Sequence, residues 1–188
     1  SFSIFTASVA LASGGFFDVN TTSYFVHFWT VGLAMAGGAL FHLALIFPKE
    51  SRWSRRWPFL NWAGYLITVI ISLFALPTLF NYQNPYAYIP AWQIAYLFVG
   101  LTSLAFVVLT TIRRYSSPSP VIRQQAIVIM WSGIIAFTPI MIWFFVTAIR
   151  SETAFLPQLL LPLGVFPIGV AYAILRYRMI NTDYIFSR

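Results

Sequence analysis

Long apolar runs separated by short polar breaks organise this chain. Five segments are long and apolar enough to cross a bilayer, which takes roughly 20 residues each. The pattern places them at about Ser23–Phe47, Pro58–Phe80, Ala91–Ile112, Ala126–Ile149 and Pro157–Tyr177. A sixth apolar stretch, Phe2–Ser13, is shorter than a span. It reads as the tail of a helix cut at its start or as an interfacial segment. The expected fold is an all-α, polytopic transmembrane bundle. It divides into an N-terminal segment over 1–22, a five-helix membrane domain over 23–178, and a tail or linker over 179–188.

The charges sort between the connections. Pro48–Trp57 carries Lys49, Arg52, Arg55 and Arg56, and Arg113–Gln125 carries Arg113, Arg114 and Arg123. The C-terminal stretch carries Arg176, Arg178 and Arg188, so ten of the eleven basic residues fall on one side of a five-helix arrangement. Only Arg150 falls on the other. Basic loops stay in the cytoplasm, which implies a multi-pass membrane protein with a cytoplasmic C-terminus. Aromatic residues cluster where an interfacial belt would lie. Tyr24, Phe25, Phe28, Trp29, Tyr82, Tyr86, Tyr88 and Trp92 fall at the outer boundary, and Trp53, Trp57 and Trp62 at the inner one.

Composition agrees with lipid as the solvent. Of 188 residues, 60% are hydrophobic and 8% charged, against about half and a quarter in soluble domains. The net charge of +7 is a topology and headgroup signal; the reading includes no nucleic acid. The absence of cysteine removes disulfides, thiolate metal sites and cysteine nucleophiles. The chain opens Ser1-Phe2-Ser3-Ile4 without Met or a basic n-region, so it reads as a trimmed polypeptide without a signal peptide.

Small residues and prolines mark packing and irregularity. Gly32/Ala36 and Ala34/Gly38 are small-xxx-small pairs on the first full span, and they nominate it as the packing centre. Pro139 interrupts the fourth span, and Pro157, Pro162 and Pro167 recur in the last. Each interior proline removes a donor and obstructs the carbonyl four residues earlier. The interrupted spans read as kinked but packed helices, or as a hinge or lined cavity in the outer half of the bundle with Pro139, Pro162 and Pro167 as the hinge positions; Ser132 and Thr138 are available to satisfy freed backbone groups.

Little in the chain can do chemistry. The four acids, Asp18, Glu50, Glu152 and Asp183, fall outside the span cores, which argues against a pump, a proton-coupled transporter or an intramembrane aspartyl protease. No phosphate loop, zinc motif or Ser/His/Asp arrangement is present, so the chain reads as non-enzymatic. His27 and His42 lie on one helix, about 22 Å apart at 1.5 Å per residue, and cannot clamp one haem between them. Each could singly ligate a chlorin or a haem; otherwise His27 sits at the interface and His42 bonds a neighbour near the inner end. The uncharged, aromatic connection Asn81–Pro90 reads as an interfacial turn or as a rim over a pocket for an apolar ligand.

Three stretches together resemble a known family. Phe41-His42-Leu43-Ala44-Leu45-Ile46-Phe47-Pro48 ends a helix before a basic loop, and Arg123-Gln124-Gln125 opens a later helix. Pro162, Pro167 and Ala171-Tyr172-Ala173-Ile174-Leu175-Arg176-Tyr177-Arg178-Met179 are followed by Asp183. This pattern resembles the N-terminal multi-helix membrane region of bacterial sensor histidine kinases and related signalling proteins, over about Trp29 to Asp183. The resemblance implies a sensory or anchoring module of the bacterial cytoplasmic (inner) membrane, whose last helix leads through Arg176, Tyr177 and Arg178 into cytoplasmic domains. Asn181-Thr182-Asp183 departs from it by carrying one acid, and no phosphoacceptor helix or ATP-binding domain follows. The expected partners are the bilayer and either other membrane subunits or a second copy. The rival is an accessory subunit of a respiratory or photosynthetic membrane complex, packed through Gly32, Ala36 and Gly38.

Overall fold

The computed structural model describes residues 2–19, 22, 24–47, 52–81, 83, 84, 86–116, 120–150 and 157–186; for 52, 53, 157 and 177–186 it describes the backbone only. The fold is an all-α helical bundle, with no strand among the described residues. Its elements are α1 (Phe2–Val19), α2 (Val26–Ile46), the short α3 (Arg52–Arg56), α4 (Leu60–Ala75), α5 (Ile89–Ser116), α6 (Pro120–Arg150) and α7 (Val165–Phe186). A 3₁₀ turn over Leu76–Thr78 extends α4, and a 3₁₀ helix over Pro157–Gly164 precedes α7. Among the described residues, six helical stretches are long and apolar enough to cross a membrane, so the chain is a membrane protein.

The sixth span is α1, which runs 18 residues rather than the 12 of the apolar stretch. The helix continues through Gly14 and Gly15 because Gly15 is a contact point. A Cβ there would lie 2.5 Å from the backbone nitrogen of Trp29 and 3.0 Å from its Cα. At the far end, Phe5 joins the cluster that holds Leu40 and Leu43. Thus α1 lies antiparallel along α2 as part of the bundle, and a division at residue 22 does not separate it. Asp18 closes the turn between them. Its carboxylate accepts from the Thr22 hydroxyl and, at 2.5 Å, from the Phe25 amide just before α2. Asp18→Ala should cost about 1 kcal/mol, as loss of a helix cap does, read as a lower midpoint of detergent-induced unfolding.

α2 is the hub, contacting α1, α4 and α5. In lipid, apolar burial does not drive helix association, so close van der Waals fit and interhelical hydrogen bonds must. The small residues of α2 supply that fit on three faces. A Cβ at Gly32 would meet the Ala12 nitrogen of α1 at 2.9 Å, and one at Gly37 the Phe98 ring of α5 at 2.9 Å. Gly38 faces Gly64 of α4: a Cβ on either would lie 2.7 Å from the other's carbonyl oxygen. Ala36 is buried in the core cluster that also holds Phe106 and Phe137. Beside the Gly38–Gly64 crossing, the Thr68 hydroxyl donates to Ala34 O at 2.8 Å.

On the other flank α5 packs on α6, and α6 on α7. Four phenylalanines from four helices meet there: Phe5 (α1), Phe106 (α5), Phe137 (α6) and Phe166 (α7). Phe106 and Phe166 are edge-on at 5.2 Å, Phe5 and Phe166 at 5.7 Å, and Phe5 and Phe137 at 5.9 Å. Such pairs add about 0.5–1.5 kcal/mol each beyond area burial.

Two expectations change here. α6 runs through Pro139 without a break; the flanking Phe137, Ile140 and Phe144 are buried, so packing holds a helix that the proline weakens. Trp29 and Trp92 belong to the core, being 3% and 7% exposed, whereas Tyr24, Trp57, Trp62 and Tyr86 are exposed as belt residues would be. The Trp29 ring packs 6.5 Å from that of Tyr96, and the indole of Trp92 donates to Thr30 Oγ1 at 3.0 Å. A buried indole needs such an acceptor. The expected positions Trp53 and Tyr82 lie outside the residues whose side chains are described.

Candidate functional site

The last span is where local sequence most visibly breaks regular structure. Its first eight residues, Pro157–Gly164, form a 3₁₀ helix containing Pro162. Runs of this kind rarely exceed 3–4 residues, and longer ones mark strain or a hinge. The α-helical part begins at Val165. Pro167 is the third residue of α7, where a missing N–H is one of the helix's orphan donors anyway. Between the prolines, Phe166 is fully buried in the four-phenylalanine cluster, and a Cβ at Gly169 would lie 2.4 Å from Ser132 Cβ of α6. The irregular segment is therefore pinned at its junction with α7, while Leu161 upstream is 78% exposed.

A cavity of about 50 Å³ lies beside this segment. Its wall includes Val9 and Ser13 of α1, Trp29 and Leu33 of α2, and Leu160 and Leu163 of the 3₁₀ helix; α5 and α6 complete it. Apart from Ser13 and Ser103 the lining is apolar, and Ser103 Oγ already donates to Val99 O at 2.8 Å. No described residue of the connection 81–90 lines it. In that connection Asn81 Oδ1 caps the turn by accepting from the amides of Gln83 and Asn84 at 3.0 and 3.2 Å, and the Tyr88 ring lies 4.7 Å from that of Trp92.

The remaining sequence candidates lie apart from the cavity. His27 is half-buried in the first turn of α2, its ring 4.3 Å from that of Phe28. His42 is half-buried near the other end, its Nδ1 3.1 Å from the Tyr65 hydroxyl of α4. No group of three or more His, Asp or Glu side chains suited to a metal occurs among the described residues. Arg176 donates to the Tyr172 hydroxyl one turn earlier, with its guanidinium 5.5 Å from that ring. Tyr177 and Arg178 continue α7, but their side chains lie outside the described residues.

One polar contact carries no signal in the apolar pattern. Arg113, in the last turn of α5, donates to Leu45 O at 2.8 Å and to Phe47 O at the end of α2. The one cue in the sequence is its place as the first basic residue after the span, close enough to the bundle to reach back into it. Nearby, Ser54 of α3 donates to Asn61 of α4 at 2.7 Å, tying down the basic connection. Comparison with protein-family models, curated proteins and solved structures gives no significant match.

Proposed function

We propose that this chain is a non-catalytic membrane module of sensor type, seated in a bacterial cytoplasmic membrane with its basic end inside. Its outer half receives a membrane-borne or envelope signal, and α7 carries the response toward the cytoplasm through Arg176, Tyr177 and Arg178. One observation carries this reading: the last span is built in two pieces, a 3₁₀ helix over Pro157–Gly164 and an α-helix over Val165–Phe186. Eight residues rising 2.0 Å each are about 4 Å longer than the same residues in α-helical form. A shift of population between two such forms would move one end of the span relative to the other. The sequence resemblance to the membrane region of sensor histidine kinases supports the same reading, by analogy.

The test is Pro162→Ala with Pro167→Ala in the native polypeptide, reading signalling output across the full stimulus range. Removing the prolines favours continuous α-helix, so the stimulus for half-maximal output should shift about fivefold or more, the lower end of ordinary coupling energies. Unchanged output over that range would sink the hinge. The accessory-subunit reading, with other membrane subunits as partners, would then become the working model.

A further inference from the structure

The cavity beside the 3₁₀ helix has a direction as well as a lining. Four of its wall residues are half-exposed: Val9 and Ser13 on α1, Leu160 and Leu163 on the 3₁₀ helix. Every other wall residue is buried. The mouth therefore lies between α1 and the 3₁₀ helix and opens sideways, within the apolar stretches of both spans. Toward the basic end the gap is closed where Phe5 of α1 meets Phe166 of α7.

We propose that this cavity is a binding site for one alkyl chain of a membrane phospholipid, inserted laterally between α1 and the 3₁₀ helix. Three features select that chemistry. Water needs two to four polar partners, but the lining offers only two hydroxyls, Ser13 at the mouth and Ser103, which already donates to Val99 O. A volume of about 50 Å³ is well below the ~150 Å³ of a dry cavity that holds one benzene, which excludes a fused-ring ligand. A narrow, laterally open cleft suits the end of a linear chain whose remainder stays in the bilayer. The chain would lie against Leu160 and Leu163, so its presence bears directly on the 3₁₀ segment. As a signal this ligand rests on the sensor reading above; as a site it stands on the geometry.

The experiment uses the purified chain in phosphatidylcholine vesicles containing a phosphatidylcholine with a photoactivatable diazirine on one acyl chain. After irradiation, adducts are mapped by peptide mass. Leu33 and Val99, buried cavity residues, should be labelled along with the exposed Leu73 of α4 and Ile168 of α7. Ser13→Phe, which fills the mouth from α1, should lower labelling at Leu33 and Val99 about tenfold, as a large side chain displaces the chain end. Labelling at Leu73 and Ile168 should stay the same, which reports an intact reconstituted fold. Leu163→Trp closes the mouth from the other side and should act alike. The proposal is overturned if Leu33 and Val99 are unlabelled in the unaltered chain, or remain labelled in both variants. Labelling by a diazirine fatty acid alone would overturn the phospholipid source. Signalling output separates this failure from that of the sensor reading. Lost labelling with unchanged output removes the sensor reading and keeps the site. No labelling, with the Pro162 and Pro167 variants still shifting output, does the reverse.

Discussion

Gly15→Ala should destabilise the bundle by about 2–3 kcal/mol, in the upper range for overpacking a tight contact. The same change at the adjacent Gly14 should be neutral or stabilise slightly, since alanine is the better helix former. The two glycines share a helix, a composition and a hydropathy; only their surroundings differ. A Cβ at Gly15 meets main-chain atoms of Trp29, the nearest at 2.5 Å, and main chain cannot rotate away as a side chain can. A Cβ at Gly14 meets nothing within 4 Å. Relief at Gly15 would require α1 to move off α2, loosening the Gly32–Ala12 approach one turn further along the same seam. Unfolding of the purified chain by increasing dodecyl sulfate in mixed micelles, followed by tryptophan emission, measures both variants. Equal midpoints for the two would mean that α1 is not seated on α2 at this register.

The same pair of glycines shows what the sequence could and could not reveal. The five long spans were legible because each is a run of about twenty apolar residues ending in charge, proline or polar aromatic residues. Their ends were less so. α5 runs on to Ser116 through Arg113 and Arg114, and α6 starts at Pro120 ahead of Arg123, because a helix can leave the hydrocarbon without ceasing to be a helix. α1 was half legible: the apolar run stops at Ser13, and Gly14-Gly15 resembles a break until the partner helix that Gly15 admits is known. Gly32 and Gly38 were readable as packing residues, but which helix each one meets was not, since small residues carry no mark of their partner. Trp29 and Trp92 look like belt residues in sequence, and only their burial among neighbouring helices, with Trp92 donating to Thr30 Oγ1, places them inside. The prolines of the last span signalled irregularity correctly. Pro139 did not interrupt its helix, because proline states a local cost that tertiary packing can offset. The cavity could not be read at all: its walls come from α1, α2, α5, α6 and the 3₁₀ helix, and no sequence spacing links them.

Arg113 is the clearest case of a residue whose class was legible and whose role was not. As one of ten basic residues on one side, it reads as a topology signal. Its guanidinium instead donates to the carbonyls of Leu45 and Phe47, where the end of α2 leaves carbonyls without intrahelical donors. The negative end of the helix dipole favours a cation there, and hydrogen bonds from a charged donor contribute about 1.5–3 kcal/mol each. Arg113→Met keeps an apolar stem but removes both donors, so it should cost about 3 kcal/mol in the same dodecyl sulfate titration. Arg113→Lys should recover less than half of that, because an ammonium lacks the planar fork that reaches two carbonyls at once. Arg114→Met is the control for charge alone: Arg114 lies 5.3 Å from the Tyr115 ring on the same helix, and its loss should leave the midpoint nearly unchanged. If Arg113→Met and Arg114→Met behaved alike, Arg113 would be a topology charge and nothing more. If they differ as argued, one guanidinium fixes the hub helix to α5 at the basic end.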